Sequence, residues 1–518
     1  MDIHKQYELQ EILRLSEHFN LIPIVRELLA DTETPIRMFQ HFYEDQHAFL
    51  LESVEGGVKW ARYSFIGTDP FLIIRSKKGL TTVEKNGKHK VYQEKPIEIL
   101  KSNLDGYRSP EFPHLPRFTG GAIGFFGYDL LRYYEKLPAH EQDDLDMQDM
   151  EFMFFDQIIV FDHVKQQVLV ISNVHIPPEA DDLIIAAAYL ETCRKVDRTL
   201  ARLQKPLPSM SAIPQVTHKE VKASEIRSNI SKETYIENVK KAQEYIRAGD
   251  IFQVVLSQRF EMETAASPLQ VYRVLRTVNP SPYMYYLKLG DEVIVGSSPE
   301  LLVRVEDGKV ETKPIAGTRP RGQTSAKDIS LERELLADEK ELAEHVMLVD
   351  LGRNDIGRVA EYGSVHCETF MEIERFSHVM HIVSTVAGQM RKDKDIFDAF
   401  LSCLPAGTVS GAPKLRAMEI IAELEKTCRG TYAGAIGYLG FTGNLDSCIT
   451  IRTIVFKNGK AYVQAGGGIV GDSVPEKEYE ESFNKAKALL NSIRMAENLF
   501  RPLREHSDIN SDYFVDAK

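Results

Sequence analysis

The sequence predicts an α+β fold with large, mostly antiparallel β-sheets. Two observations carry this expectation. Strand-like runs follow one another across tight turns, as in Met284 to Leu289, Glu292 to Gly296, Leu301 to Glu306 and Lys309 to Lys313. Helical patterns are inserted only at intervals, whereas a doubly wound parallel sheet needs a crossover, usually a helix, after each strand.

In chain order, Met1 to about Ala30 reads as a helix followed by an apolar lead-in containing Pro23. Phe49 to Ser53 is a short strand whose polar end, on pattern alone, puts Glu52 in water. Between Arg62 and Tyr107 alternating segments flank Asn86-Gly87, the favoured dipeptide of a two-residue hairpin. The glycines at 120, 121, 124 and 127 match neither the Walker nor the dinucleotide spacing, so they read as a glycine-punctuated strand and turn. Glu151 to Phe161 and Gln166 to Val174 form a strand pair, and a helix runs from about Asp182 to Leu200. Pro206, Pro208 and Pro214 lie among polar residues, which predicts a surface linker. The chain therefore divides into a region 1–203, a linker 204–228, a region 229–500 and a polar tail 501–518. The second region opens with a helix capped by Ser231 and closed by Gly249, then a strand from Ile251 to Arg259. Further strands are expected at Ala433 to Phe441, Cys448 to Lys457 and Lys460 to Ala465.

Two helical stretches place carboxylates beside a buried stripe. In Leu331 to Asp355, Leu335, Leu342, Val346 and Val349 recur at helical spacing, and Glu341 and Glu344 border them. Near the C-terminus, Ser473-Val-Pro475-Glu476 has the form of a capping box. Tyr479, Phe483, Ala486, Leu490 and Ile493 follow as its stripe, with Glu478, Glu481 and Lys485 alongside. Two such Glu pairs could hold a hard cation, and oxygen ligands favour Mg²⁺ over Zn²⁺. Taken alone, each pair is better explained by a solvated helix face.

Composition narrows the class. The 518 residues are 43% hydrophobic, enough for a large core and, by length alone, roughly two to four domain-sized units. A net charge of -13 without a basic run argues against nucleic-acid binding, and an anionic substrate then needs local cations. No stretch approaches the roughly 18 apolar residues of a membrane span, and MDIHKQYELQEIL lacks a signal-peptide pattern, so no membrane partner and a cytoplasmic address are expected. The five cysteines are scattered without a CxxC, which predicts free thiols.

Several long motifs occur together: PIAGTRPRG (Pro314 to Gly322), DEKELAEHVMLVDLGRND, LPAGTVSGAPK (Leu404 to Lys414) and QAGGGIVGDSVPEKEYEES (Gln464 to Ser482). In this order they resemble the chorismate-utilising enzymes, and among them the large synthase subunits of anthranilate synthases. The resemblance implies two sheets packed face to face with helices outside. It implies a carbon–oxygen lyase that acts on the dicarboxylate chorismate with Mg²⁺, in the first step of tryptophan biosynthesis. Glu341, Glu344, Glu478 and Glu481 would hold the metal, some through water, and Lys485 would reach the substrate carboxylate. Glu300 matches the general acid for the departing ring hydroxyl, its pKa raised by neighbouring carboxylates. His381 matches an active-site histidine, although a lone His on an apolar strand is most often a core residue. Arg452 and Tyr432 match positions that grip the enolpyruvyl carboxylate, with the amides of Gly466, Gly467 and Gly468 close by. Gly317, Thr318 and Thr408 are further pocket contacts.

Two positions choose among relatives. Gln253 stands where water-adding relatives carry a lysine base, and Ala316 where aminodeoxychorismate synthases carry a nucleophilic lysine. Both favour amination by ammonia, then loss of pyruvate to give anthranilate. No cysteine sits in a glutaminase-like elbow, so the ammonia comes from solution or from a separate glutamine amidotransferase subunit in a hetero-oligomer. For feedback inhibition the resemblance assigns tryptophan to Leu51, Glu52 and Ser53 with Asn279, Pro280, Ser281, Pro282, Tyr283, Met284 and Tyr285. An aminodeoxychorismate synthase component, or a catalytically silent tryptophan-binding protein, remains an alternative.

Overall fold

The computed structural model describes residues 3–53, 62–207, 225–376 and 379–500. Most of the expected linker (208–224) and the polar tail (501–518) lie outside the described residues.

Two 12-stranded sheets, antiparallel throughout, organise the chain. The first runs Leu21–Leu29, Gln167–His175, Gln157–Asp162, Tyr63–Thr68, His47–Glu52, Tyr283–Leu289, Glu292–Ser298, Thr453–Lys457, Lys460–Ile469, Gln253–Glu263, Arg227–Ser228, with Gly411–Ala412 added beside Gln253–Glu263. The second runs Ile315–Pro320, Val379–Gln389, Lys309–Thr312, Leu301–Glu306, Leu445–Ile449, Ala435–Gly440, Gly121–Phe126, Met150–Phe155, Leu72–Lys77, Leu80–Lys85, Lys88–Tyr92, with His366–Arg375 added beside Val379–Gln389. Segments from before and after the expected linker share both sheets, each as one contiguous block of strands, joined at a single pair in each sheet. His47–Glu52 pairs with Tyr283–Leu289, and Gly121–Phe126 with Ala435–Gly440.

Strand periodicity explains the layers. Phe49, Leu287 and Ile294 of the first sheet meet Ile123, Phe155 and Ile436 of the second in one buried cluster between them. The rings of Phe49 and Phe155 pack edge to face at 4.8 Å. Their alternate neighbours, Leu50, Met284 and Tyr286, face outward onto the helices Asp182–Leu203, Pro268–Val278 and Pro475–Leu499. Pro23 lies in the edge strand, where a missing amide hydrogen is tolerated. Asn86 (φ 53°) and Gly87 (φ 70°) make the expected hairpin turn, and Ser231 and Gly249 cap Lys232–Ala248 at its two ends.

Four local expectations are corrected. Glu151 to Phe161 is two strands, one in each sheet, and so is Cys448 to Lys457. The chain changes sheets at Asp156 and at Thr450–Arg452 without a polar turn, because both sides of each crossing stay in the interior. Leu331 to Asp355 is interrupted: Ser325–Leu336 ends and Asp338 caps Glu339–Gly357 by accepting from the amides of Lys340 and Glu341. The fresh start rotates the buried face, so Val346 is 39% exposed while His345 and Leu348 are buried with Leu335 and Val349. Ser473 forms no capping box. Val474 is the cap of Pro475–Leu499, and the Ser473 hydroxyl, one residue early, accepts from the amide of Val470.

Glu52 is also buried, 5% exposed, contrary to its expected place in water. Its strand continues into a paired neighbour, and its carboxylate accepts from Tyr272 at 2.7 Å and from Arg276 at 3.1 Å on the covering helix. Where strands cross closely, glycine is required: a Cβ on Gly124 would overlap the Glu151 carbonyl oxygen of the adjacent strand. Gly124→Ala is expected to cost about 1–3 kcal/mol or more by overpacking, read as a lower denaturation midpoint at unchanged m-value.

Candidate active site

The chemistry-bearing residues gather where strands hand over from one sheet to the other. Glu300 lies in the crossing from Glu292–Ser298 to Leu301–Glu306. That turn is pinned: the Ser298 hydroxyl donates to Ile449 O at 2.6 Å, and the Ile449 amide donates to Glu300 O at 3.0 Å. Burial raises the Glu300 carboxyl to about 8, opposed by the Thr408 hydroxyl, which donates to Oε1 at 2.9 Å. Neighbouring carboxylates are not the cause, which corrects the expectation. The group is simply out of water.

Arg452 occupies the other crossing, in the left-handed region at φ 53°. No described side chain forms an ion pair or hydrogen bond with its guanidinium. Burial lowers its pKa, and Tyr432 and Glu481 are the opposing influences. Tyr432, its hydroxyl pushed to about 12 by burial, shares this environment. A half-buried, unpaired guanidinium calls for an anionic ligand.

His381 faces the same side. Its Nδ1 lies 2.8 Å from Gly317 O and 3.2 Å from the Thr318 hydroxyl. A carbonyl can only accept, so Nδ1 carries the hydrogen and Nε2 keeps a lone pair. Burial lowers the His381 pKa, opposed by the Gly317 bond, and Arg452 lowers it further, so the ring is neutral near pH 7. Gly317, at φ 67°, lies in a bulge between Ala316 and Arg319; a Cβ there would stand 3.3 Å from a Glu341 carboxylate oxygen.

The four glutamates of the expected metal site come from the two helices foreseen for them. Burial raises the pKa of Glu344, and the charge of Glu341 and then of Glu481 raises it further. Burial also raises Glu478, against a Ser473 bond and with Glu481 adding to it. As placed, the side chains are held apart: Arg319 lies 3.1 Å from Glu341, and Lys485 2.7 Å from Glu481 and 3.0 Å from Gly466 O. Among the described residues no three acidic, histidine or cysteine side chains converge on one point. The donor set is nevertheless that of a hard cation, and the mutual repulsion at Glu344 is what such a charge would relieve.

Gly466, Gly467 and Gly468 pair with Ser257, Leu256 and Val255 along one edge. The neighbour on the other edge pairs only as far as Val463. A Cβ on Gly467 would stand 3.2 Å from Glu478, and one on Gly468 would overlap the Gln253 amide, so both glycines keep space open. Gln253 and Ala316 are buried on the strands Gln253–Glu263 and Ile315–Pro320.

The family profile for chorismate binding enzymes matches residues 46–491. Anthranilate synthase component 1 of Acetivibrio thermocellus is 55% identical over 489 residues, 94% of this chain and 98% of that protein. The crystal structure of anthranilate synthase component I from Streptococcus pneumoniae TIGR4 superposes with a TM-score of 0.74 at 40% identity, covering 85% of this chain and 94% of that one. The chain belongs to the chorismate binding enzyme family. The menaquinone-specific isochorismate synthase of Escherichia coli, 18% identical with a TM-score of 0.65 over 94% of this chain and 99% of that one, shares the fold.

Beyond the site of this chorismate binding enzyme, a cleft of about 1140 Å³ opens on the neighbouring strands His47–Glu52 and Tyr283–Leu289. Leu51, Ser53, Pro282, Tyr283 and Tyr285 line it. Glu52 and Met284 touch it too, although the Glu52 carboxylate is turned to Tyr272 and Arg276. Asn279, Pro280 and Ser281 lead into the strand and do not line the cleft; Asn279 instead donates to the Ser297 hydroxyl at 2.8 Å.

Sequence reasoning missed Arg429, which is 1% exposed. It binds both carboxylate oxygens of Glu425 at 2.7 and 2.8 Å and donates to Val409 O and Val255 O. One guanidinium thus ties the turn carrying Thr408 to the strand carrying Gln253. Both residues lie beyond the end of the helix Lys414–Leu424, where Glu425 is extended, so helical spacing gave no signal for the pair. Arg429→Met is expected to cost about 3–5 kcal/mol, because Glu425 is left buried and uncompensated. The double variant with Glu425→Gln should recover part of that loss in denaturant titration.

Proposed function

We propose that this chain is the synthase component that aminates chorismate with ammonia and eliminates pyruvate to give anthranilate, in the cytoplasm. The observation that carries the reading is Glu300, a carboxyl kept protonated at neutral pH by burial. It can give its proton to the departing ring hydroxyl, which leaves as water while ammonia adds to the ring. Loss of a ring proton with the enolpyruvyl group then yields the aromatic amine and pyruvate. Arg452 and Tyr432 hold the enolpyruvyl carboxylate, and the open edge at Gly466 to Gly468 accommodates a carboxylate without side-chain obstruction. His381 stays neutral and offers Nε2 as an acceptor. Gln253 cannot activate water and Ala316 cannot form a covalent adduct, which supports ammonia as the direct nucleophile.

Glu341, Glu344, Glu478 and Glu481 would hold Mg²⁺. When bound, the metal supplies a hard positive charge for the ring carboxylate of a substrate that the net charge of -13 would otherwise repel. The relatives' name, component 1, supports a second component, read here as a glutamine amidotransferase that delivers ammonia. Tryptophan in the cleft that opens on His47–Glu52 and Tyr283–Leu289 is proposed as the feedback inhibitor, acting by favouring one arrangement of strands that both halves of the chain share.

The test is anthranilate fluorescence from the purified chain with chorismate, Mg²⁺ and ammonium; consumption of chorismate without fluorescence would refute the reading. Chelation of Mg²⁺ is expected to abolish the signal and Glu344→Gln to raise the Mg²⁺ requirement. Glu300→Gln should lower kcat by about 10²–10⁴-fold, the usual worth of a general acid. Because the acid form of Glu300 is active, kcat should fall as pH rises through about 8. Thr408→Val should move that limb upward, since the lost hydroxyl favours the charged form.

A further inference from the structure

Arg452 can serve as an anion grip only if its unusual backbone is held, and the bonds that hold it lead to a residue outside the reaction site. The Thr453 hydroxyl donates to Ile451 O at 2.8 Å, closing a loop around Arg452. Having spent its hydrogen there, Thr453 Oγ1 accepts the phenolic hydrogen of Tyr285 at 2.6 Å. Tyr285 is 1% exposed and its ring is seated against Gly296, where a Cβ would overlap it. The next residue, Ser297, donates its amide to Arg452 O at 3.1 Å.

We propose that Tyr285, acting through Thr453, is a positioning residue that sets Arg452 for the substrate carboxylate. The inference rests on the reading of Arg452 as the carboxylate grip. The tyrosine makes no contact with the reacting atoms. Its hydroxyl fixes Thr453, Thr453 fixes the carbonyl before Arg452, and the strained φ 53° conformation is retained between two anchors. Tyr285 is also among the residues that line the large cleft.

Tyr285→Phe leaves the ring in place against Gly296 and removes one hydrogen bond. Its loss loosens the grip in ground state and transition state alike, so KM for chorismate should rise roughly 3–10-fold with kcat nearly unchanged. Thr453→Val should give the same rise, the double variant no more than either single one, and Thr453→Ser, which keeps the hydroxyl, should restore KM. Assays are run without tryptophan on the full chain, with the melting temperature measured for each variant. A merely structural role would appear as lower kcat from a smaller active fraction, at unchanged KM, and would overturn the proposal. Arg452→Gln is measured in parallel. If it raises KM while Tyr285→Phe does not, the positioning role fails alone; if Arg452→Gln leaves KM unchanged, the reading of Arg452 fails and the proposal with it.

Discussion

The constraint on which the rest of the structure depends is that the chain must pass between two packed sheets through an interior that offers no water. At each crossing the ladder of strand hydrogen bonds stops, and the freed backbone groups need other partners. Ser298 supplies one for Ile449 and Thr453 one for Ile451; away from the crossings, Arg429 satisfies the carbonyls of Val255 and Val409 with Glu425 balancing its charge. The groups brought in to satisfy the crossings are polar, fixed and out of solvent. Two of the crossings also carry the candidate site residues Glu300 and Arg452, which are therefore placed where the backbone is already held.

Within this frame, environment separates carboxylates that are chemically alike. Glu300 is buried with a single hydroxyl, that of Thr408, on one oxygen, and burial favours its protonated form. Glu341 and Glu481 are each paired with a cation, whereas Glu344 is raised by burial and the charges of Glu341 and Glu481, and Glu478 by burial and Glu481. The first group is suited to donating a proton and the second set to attracting a positive charge. No difference in side-chain chemistry is involved, only in which neighbours replace water.

Local signals were legible in the sequence and long-range ones were not. Asn86-Gly87, Ser231 and Gly249 could be read because a turn or a cap is decided by a few adjacent residues. The crossings at Asp156 and Thr450–Arg452 could not, since a strand that changes sheets stays apolar on both sides and shows no break in pattern. Val346 was misplaced because periodicity was carried through Asp338, whose side chain starts a new helix. Glu52 was misplaced because its partners, Tyr272 and Arg276, are more than two hundred residues away. The candidate site residues rest on long motifs that resemble a family, while the buried environment of Glu300 and the bond from Thr408 follow only from the way the two sheets close.

The joining of the two halves within each sheet bears on regulation. Were residues 1–203 a separate layer, a ligand there could reach the reaction site only by moving a whole domain. Instead His47–Glu52 is the direct neighbour of Tyr283–Leu289, which pairs with Glu292–Ser298, which pairs with Thr453–Lys457. Three strand-to-strand steps connect the cleft to the residue after Arg452. Packed sheets deform little without repacking, so a ligand that spreads or shears the first pair must displace the last or break a ladder. The cleft is lined by strands of both sheets, and through the first of them a preference of a cleft ligand for one strand arrangement would reach the residue after Arg452.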